Sequence, residues 1–209
     1  MPLLKTIIAA KNTKVLVWKI SETLQELETI FLTEKSHNRV QGMRSEMHKK
    51  GFISVRHLLK ELNYTDADLY YTEDGKPHLK DGKHISITHS FNFSAIIVSD
   101  KCTGIDIEKN RDKIKFISKK FVGEESTFLK DENLIEQLTV LWGAKESLYK
   151  IHPDGGLLFK NHLPIAPFDL VDGKTTGKIM KDSFNEEYQI HFFQIEDFTL
   201  VYALPKQAI

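Results

Sequence analysis

Gly104-Ile105-Asp106-Ile107-Glu108 and Trp142-Gly143-Ala144-Lys145-Glu146-Ser147-Leu148-Tyr149-Lys150 are the two runs from which the rest of the chain can be read. The first is apolar except for two carboxylates. Side chains alternate along a strand, so Asp106 and Glu108 share a face, roughly 6.6 Å apart along it. The second has a helical pattern, with Lys150 four residues beyond Glu146 and so on nearly the same side. Three carboxylates able to converge, with ammonium groups beside them, suit a hard cation holding a phosphate ester.

Working outward, three strand-like runs, 84–88, 94–99 and 102–108, follow the turn signals Asp74-Gly75-Lys76-Pro77 and Asp81-Gly82. Upstream lie a first strand over 1–11, a β-rich Val15-Leu16-Val17-Trp18 and two helical stretches. In the earlier stretch Ser21 can cap a helix carrying Leu24, Leu27, Ile30 and Phe31. The later one spans 37–62, with Gly51 as a candidate interruption. Downstream of 108 a helical region spans 114–150, with Asp131 as a candidate cap for its last helix. After Pro153-Asp154-Gly155-Gly156 the pattern is β again over 174–180, 188–195 and 198–204, with Asp172-Gly173 as a candidate hairpin turn. Strands, helices and strands recur twice, over 1–102 and 103–209. Runs of strands separated by runs of helices indicate an α+β fold of two similar halves rather than an alternating parallel sheet.

Composition narrows the function classes. The 209 residues carry 29 Lys plus Arg and 29 Asp plus Glu, so no global field draws the chain to nucleic acid or an anionic membrane. A 41% hydrophobic content is ample for a core, and no run approaches the ~18 apolar residues of a membrane span. The single Cys102 excludes an intramolecular disulfide and fits a reducing, cytoplasmic setting. His78, His84 and His89 lack the paired helical spacing of a zinc site, and Gly155-Gly156 is not followed by the Lys-Ser/Thr of a phosphate loop.

Each motif alone has a bland explanation. Asp106 and Glu108 could be charges that protect a strand edge. Glu146 and the lysines could form a solvated helix face, and His89 and Lys76 could be ordinary loop residues. Together they say more. The chain resembles the 4′-phosphopantetheinyl transferases, in particular the surfactin-synthetase-activating type with two fused similar halves. The resemblance rests on Gly75-Lys76-Pro77, Ile85-Ser86-Ile87-Thr88-His89-Ser90, Gly104-Ile105-Asp106-Ile107-Glu108 and the run from Trp142 to Lys150. Gly143 stands where the family usually has Ser, Cys or Thr, and Thr88 where it usually has Ser. The 35 residues from 107 to 141 are fewer than is common in the family. That shortening falls on the helical lobe expected to contact a carrier protein.

The resemblance implies a pseudo-dimeric monomer with its active site between the halves. It would be a Mg²⁺-dependent transferase moving the phosphopantetheine arm of coenzyme A to a serine of an acyl or peptidyl carrier protein. Asp106, Glu108 and Glu146 would hold the metal, Glu146 would act as base, and Lys150 would stabilise the leaving group. Lys76, Thr88 and His89 would bind coenzyme A. Arg44, with Lys49 and Lys50 in a basic cluster on the second helix, is a candidate for its 3′-phosphate. Lys145 is expected to stay solvated. Two other readings remain open: a coenzyme A or carrier-protein binding module without turnover, and a metal-dependent hydrolase of nucleotide diphosphates.

Overall fold

The computed structural model describes residues 3–153 and 155–206. The chain forms two compact units, Met1–Asp100 and Lys101–Ile209, a division at 100/101 where the sequence reading placed it at 102/103.

In the first unit, β1 (Leu3–Ala10) and β2 (Thr13–Lys19) form a hairpin, followed by α1 (Leu24–Leu27), α2 (Glu34–Gly42) and α3 (Glu46–Lys60). The short β3 (Leu69–Tyr71) and β4 (Pro77–Leu79) pair with each other, and β5 (His84–Ser90) and β6 (Phe93–Ser99) complete a four-stranded antiparallel sheet in the order β1-β2-β6-β5. Leu16, Trp18, Ile85, Ile96 and Val98 on one face of that sheet pack with Phe52, Ile53, Val55, Leu58 and Leu59 of α3. Alternation puts Val15, Val17, Thr88, Ala95 and Ile97 on the other face.

Three local expectations are corrected here. The cap of α1 is Thr23, not Ser21, because Thr23 and Glu26 bond reciprocally as a capping box. This helix ends after one turn, and Phe31 is exposed. The helical stretch breaks at Met43–Ser45, where the Ser45 hydroxyl accepts the His48 amide, and Gly51 lies inside α3. Pro153-Asp154-Gly155-Gly156 follows the last long helix as expected, although Asp154, like Met1 of the first strand, lies outside the described residues.

In the second unit β7 (Gly104–Lys109) leads through α4 (Lys113–Ile117) and 3₁₀ turns to the long α5 (Leu134–Ile151) and the single turn α6 (Phe159–His162). β8 (Lys174–Lys181), β9 (Phe184–Ile195) and β10 (Phe198–Pro205) form an antiparallel sheet with β7 in the order β7-β10-β9-β8. Leu138, Leu141, Ala144 and Leu148 of α5 pack with Ile179, Ile190, Val201 and Ala203 of the sheet. The start of α5 is Asn133 rather than Asp131, which begins a 3₁₀ turn just before it. Asp172-Gly173 is not a hairpin but another 3₁₀ turn ended by Gly173 at φ 60, which feeds into β8. The helix and strand content in both units makes the protein α+β.

Candidate active site

Gly104 determines how closely the two motif-bearing elements approach. An ideal Cβ there would lie 1.9 Å from the Ser147 carbonyl oxygen, so β7 crosses α5 with no room for any side chain. The contact partner is backbone and cannot rotate away. Ser147 Oγ also donates to the Val201 carbonyl at 3.2 Å, tying α5 to β10, the strand beside β7. That crossing brings Asp106 and Glu108, on one face of β7, beside Glu146 and Lys150, one turn apart on α5.

Lys150 Nζ donates to Asp106 Oδ1 at 2.9 Å and to the Ile105 carbonyl at 2.7 Å. Asp106 is 5% exposed, while Glu108, Glu146 and Lys150 are half-buried. The Glu146 carboxyl is pushed up to about 7, first by burial and then by the Asp106 charge, with Lys150 pulling it down and Glu108 pushing it up. A carboxylate so raised is held at a cost that any added cation would relieve. Among the described residues no three His, Cys, Asp or Glu side chains are yet gathered closely enough to hold a metal. In this arrangement the Lys150 ammonium supplies a positive charge to Asp106. The donor set itself, three carboxylates within electrostatic reach of one another, consists of the hard oxygen ligands that Mg²⁺ takes.

Lys145 departs from expectation. It is fully buried rather than solvated. All three ammonium hydrogens are used: Nζ donates to Glu125 Oε1 at 2.6 Å, the Phe121 carbonyl at 2.7 Å and the Phe159 carbonyl at 3.1 Å. Glu125 also accepts the amides of Gly123 at 2.7 Å and Ile165 at 3.2 Å. Burial lowers the Lys145 ammonium against the upward pull of its Glu125 partner. Lys145 therefore anchors the segments before and after α5 and is turned away from solvent. Sequence reasoning missed Glu125 altogether.

Beside Glu108 a cleft is lined by Lys109, Arg111, Ile114, Ile117, Thr139 and Trp142. The Trp142 ring meets Phe121 edge-on at 5.2 Å and Phe159 at 5.3 Å.

The other candidates lie in the first unit. Thr88 and His89 are consecutive on β5, so their side chains point to opposite faces; Thr88 is buried and His89 exposed. β5 ends its sheet's strand order. Lys76 leaves a tight turn made by Gly75 at φ 84 and by the Thr72 amide, which donates to the Lys76 carbonyl at 3.1 Å. Burial, then the nearby Lys76 and His78, lowers the His84 imidazole, and the Asp74 carboxyl is also held low, first by the Thr72 hydroxyl and to a lesser degree by the Lys76 and His78 charges. The basic residues expected on the second helix are divided between the residue before its cap and its first turns. Arg44 precedes the Ser45 cap and is exposed, and Lys50 is paired with Glu46 at 3.0 Å.

Residues 102–203 match the model of the family described as the 4′-phosphopantetheinyl transferase superfamily. That segment, 102 of the 209 residues, is similar to this superfamily, a class of transferases. The segment contains Asp106, Glu108, Glu146 and Lys150 together with the crossing of β7 and α5. No curated protein matches the chain closely enough to be named beside it. Among the described residues no helix is long and apolar enough to cross a membrane.

Proposed function

We propose that the protein transfers the 4′-phosphopantetheine group of coenzyme A to a serine hydroxyl of an acyl or peptidyl carrier protein, acting as a monomer. The carrying observation is the convergence of Asp106, Glu146 and Lys150 across the β7–α5 crossing, with Glu108 on the same face as Asp106. The carrier serine oxygen attacks the β-phosphorus of coenzyme A. The phosphoanhydride bond breaks, 3′,5′-ADP leaves, and Glu146 takes the serine proton. A base placed this way contributes about 10²–10⁴-fold. Lys150 can pass from Asp106 to the leaving phosphate, where an ammonium acts as a compact charge.

Asp106, Glu108 and Glu146 would hold a Mg²⁺ ion, which when bound supplies charge neutralisation at the pyrophosphate. In the first unit Lys76, Thr88 and His89 would bind coenzyme A, with Arg44 as a further candidate for its 3′-phosphate. The carrier protein would meet α4 and its flanks, where Arg111, Lys113, Lys115, Lys119 and Lys120 lie within five residues of a Phe116 that is 84% exposed.

The test is intact-mass measurement of an apo carrier protein after incubation with this protein, coenzyme A and Mg²⁺. A gain of one phosphopantetheine mass, prevented by EDTA and by Asp106→Asn, is expected. Coenzyme A binding without any mass gain across several unrelated carriers would establish a binding module instead. Release of 3′,5′-ADP without a carrier would establish a hydrolase.

A further inference from the structure

Glycine inside a helix costs about 0.5–1 kcal/mol relative to alanine, so a buried one needs a reason. Gly51 lies in the interior of the 15-residue α3, away from both caps, at no turn and without a positive φ. Its reason is His89. An ideal Cβ on Gly51 would stand 3.3 Å from His89 Cγ, 3.4 Å from Nδ1 and 3.6 Å from Cβ. The imidazole thus rests against the bare backbone of α3. The His48 ring, from the first turn of the same helix, is also near it, at 6.0 Å between centroids.

The helix cannot easily back away to admit a methyl group. Ser54 Oγ donates to the Gly51 carbonyl at 2.9 Å and contacts Ser94 Oγ at 2.8 Å, and Ser94 is the residue paired with His89 across β5 and β6. The same hydroxyl pair therefore fixes the distance between α3 and the sheet at this level. At 3.3–3.4 Å a Cβ on Gly51 would require a few tenths of an ångström of adjustment, and with α3 tied to the sheet that adjustment falls on the His89 ring.

We infer that Gly51 is a positioning residue for coenzyme A binding: it seats the His89 imidazole beside His48 so that the ring addresses a ligand phosphate. This inference rests on the reading of His89 given under the proposed function. An added Cβ at 51 shifts the ring by a few tenths of an ångström while leaving the fold intact, because the helix gains propensity.

The experiment compares wild type, Gly51→Ala, His89→Ala and the double variant by calorimetric titration with coenzyme A. The His89 ring resonances are followed by NMR in the ligand-free proteins. Gly51→Ala should shift those resonances, keep or raise the melting temperature, and weaken coenzyme A by about three- to ten-fold, the scale of one compromised hydrogen bond to a charged group. In the His89→Ala background the same substitution should change affinity by less than about 1.5-fold, since contacting residues couple and independent ones add. In turnover assays KM for coenzyme A should rise more than kcat falls. Equal losses in both backgrounds, or an unmoved His89 resonance, would overturn the inference. So would a Gly51→Ala protein that binds as wild type does, and in that case the transferase reading stands. A wild-type protein that does not bind coenzyme A at all refutes that reading and takes this inference with it.

Discussion

Replacing Lys145 with methionine should be the most destabilising single change that leaves side-chain volume nearly constant. Lys145 is fully buried, its partner Glu125 is 4% exposed, and the ion pair closes at 2.6 Å. Removing the ammonium leaves Glu125 as a buried charge with only the amides of Gly123 and Ile165, and it strips the carbonyls of Phe121 and Phe159 of a donor. Loss of one partner from a buried pair costs about 3–5 kcal/mol. At about 2–4 °C per kcal/mol for a chain of this size, a loss of ~4 kcal/mol lowers the melting temperature by about 8–16 °C. Trp142 packs on both Phe121 and Phe159, so its fluorescence in urea, isolated by Trp18→Phe, reports the region directly. Adding Glu125→Gln to Lys145→Met should recover about half the loss, because Gln removes the stranded charge but keeps only one acceptor oxygen for two amides. A Lys145→Met loss below about 1 kcal/mol would refute the reasoning, since it would place the pair in an environment as forgiving as a solvent-exposed one.

Four further outcomes are expected. Asp66 is held low although burial alone would raise it, because hydrogen bonds from Thr33, Arg56 and Ser36 outweigh that burial. Its contribution to stability is therefore present above the ordinary aspartate value and lost as pH falls through its lowered one, so Asp66→Asn should destabilise at pH 7 and flatten the acid limb of a stability–pH curve. Gly104→Ala should cost about 3 kcal/mol or more in urea titrations and abolish transfer, because the 1.9 Å clash is with backbone that must part. Glu146→Gln should lower the transfer rate by about 10²–10⁴-fold without lowering the melting temperature, since it removes one of three neighbouring carboxylate charges. Phe116→Asp should raise KM for the carrier protein in the mass-gain assay and leave calorimetric coenzyme A affinity unchanged.

The longer strands were legible: 84–88 and 174–180 alternate, while 94–99 and 198–204 are short continuous apolar runs rich in β-branched and aromatic residues, all bounded by turn residues. β3 and β4 were not, being three residues each, too short for any period to show. Gly51 was misread as a helix break for a physical reason. Its cost to the helix is real, but it is offset by a contact with His89, far along the chain, that no local pattern encodes. Lys145 misled in the same way. In the sequence it is one lysine among charged neighbours, and only the fold brings Glu125, 20 residues earlier, to meet it. The carboxylates of the site could be read because strand and helix periodicity alone put them on shared faces. Their closeness across β7 and α5 depends on Gly104, whose role appears only when the two backbones touch.

Gly143 shows how a departure from a motif is resolved in three dimensions. A Cβ there would lie 2.7 Å from Val201 Cγ2 and 3.7 Å from Asp106 Oδ2, and Val201 is the residue paired with Asp106 between β10 and β7. The space that a Ser, Cys or Thr would fill from the helix is occupied by a branched side chain from the strand. Core volume conserved across two contacting positions is tolerated far better than volume changed at one. Gly143 and Val201 thus form one packing unit directly beside Asp106, whose other carboxylate oxygen, Oδ1, accepts from Lys150. A side chain at 143 would therefore have to displace Val201 before it reached Asp106, so Gly143→Ser should destabilise unless Val201 is shortened to alanine with it, as urea titration of the single and double variants would show.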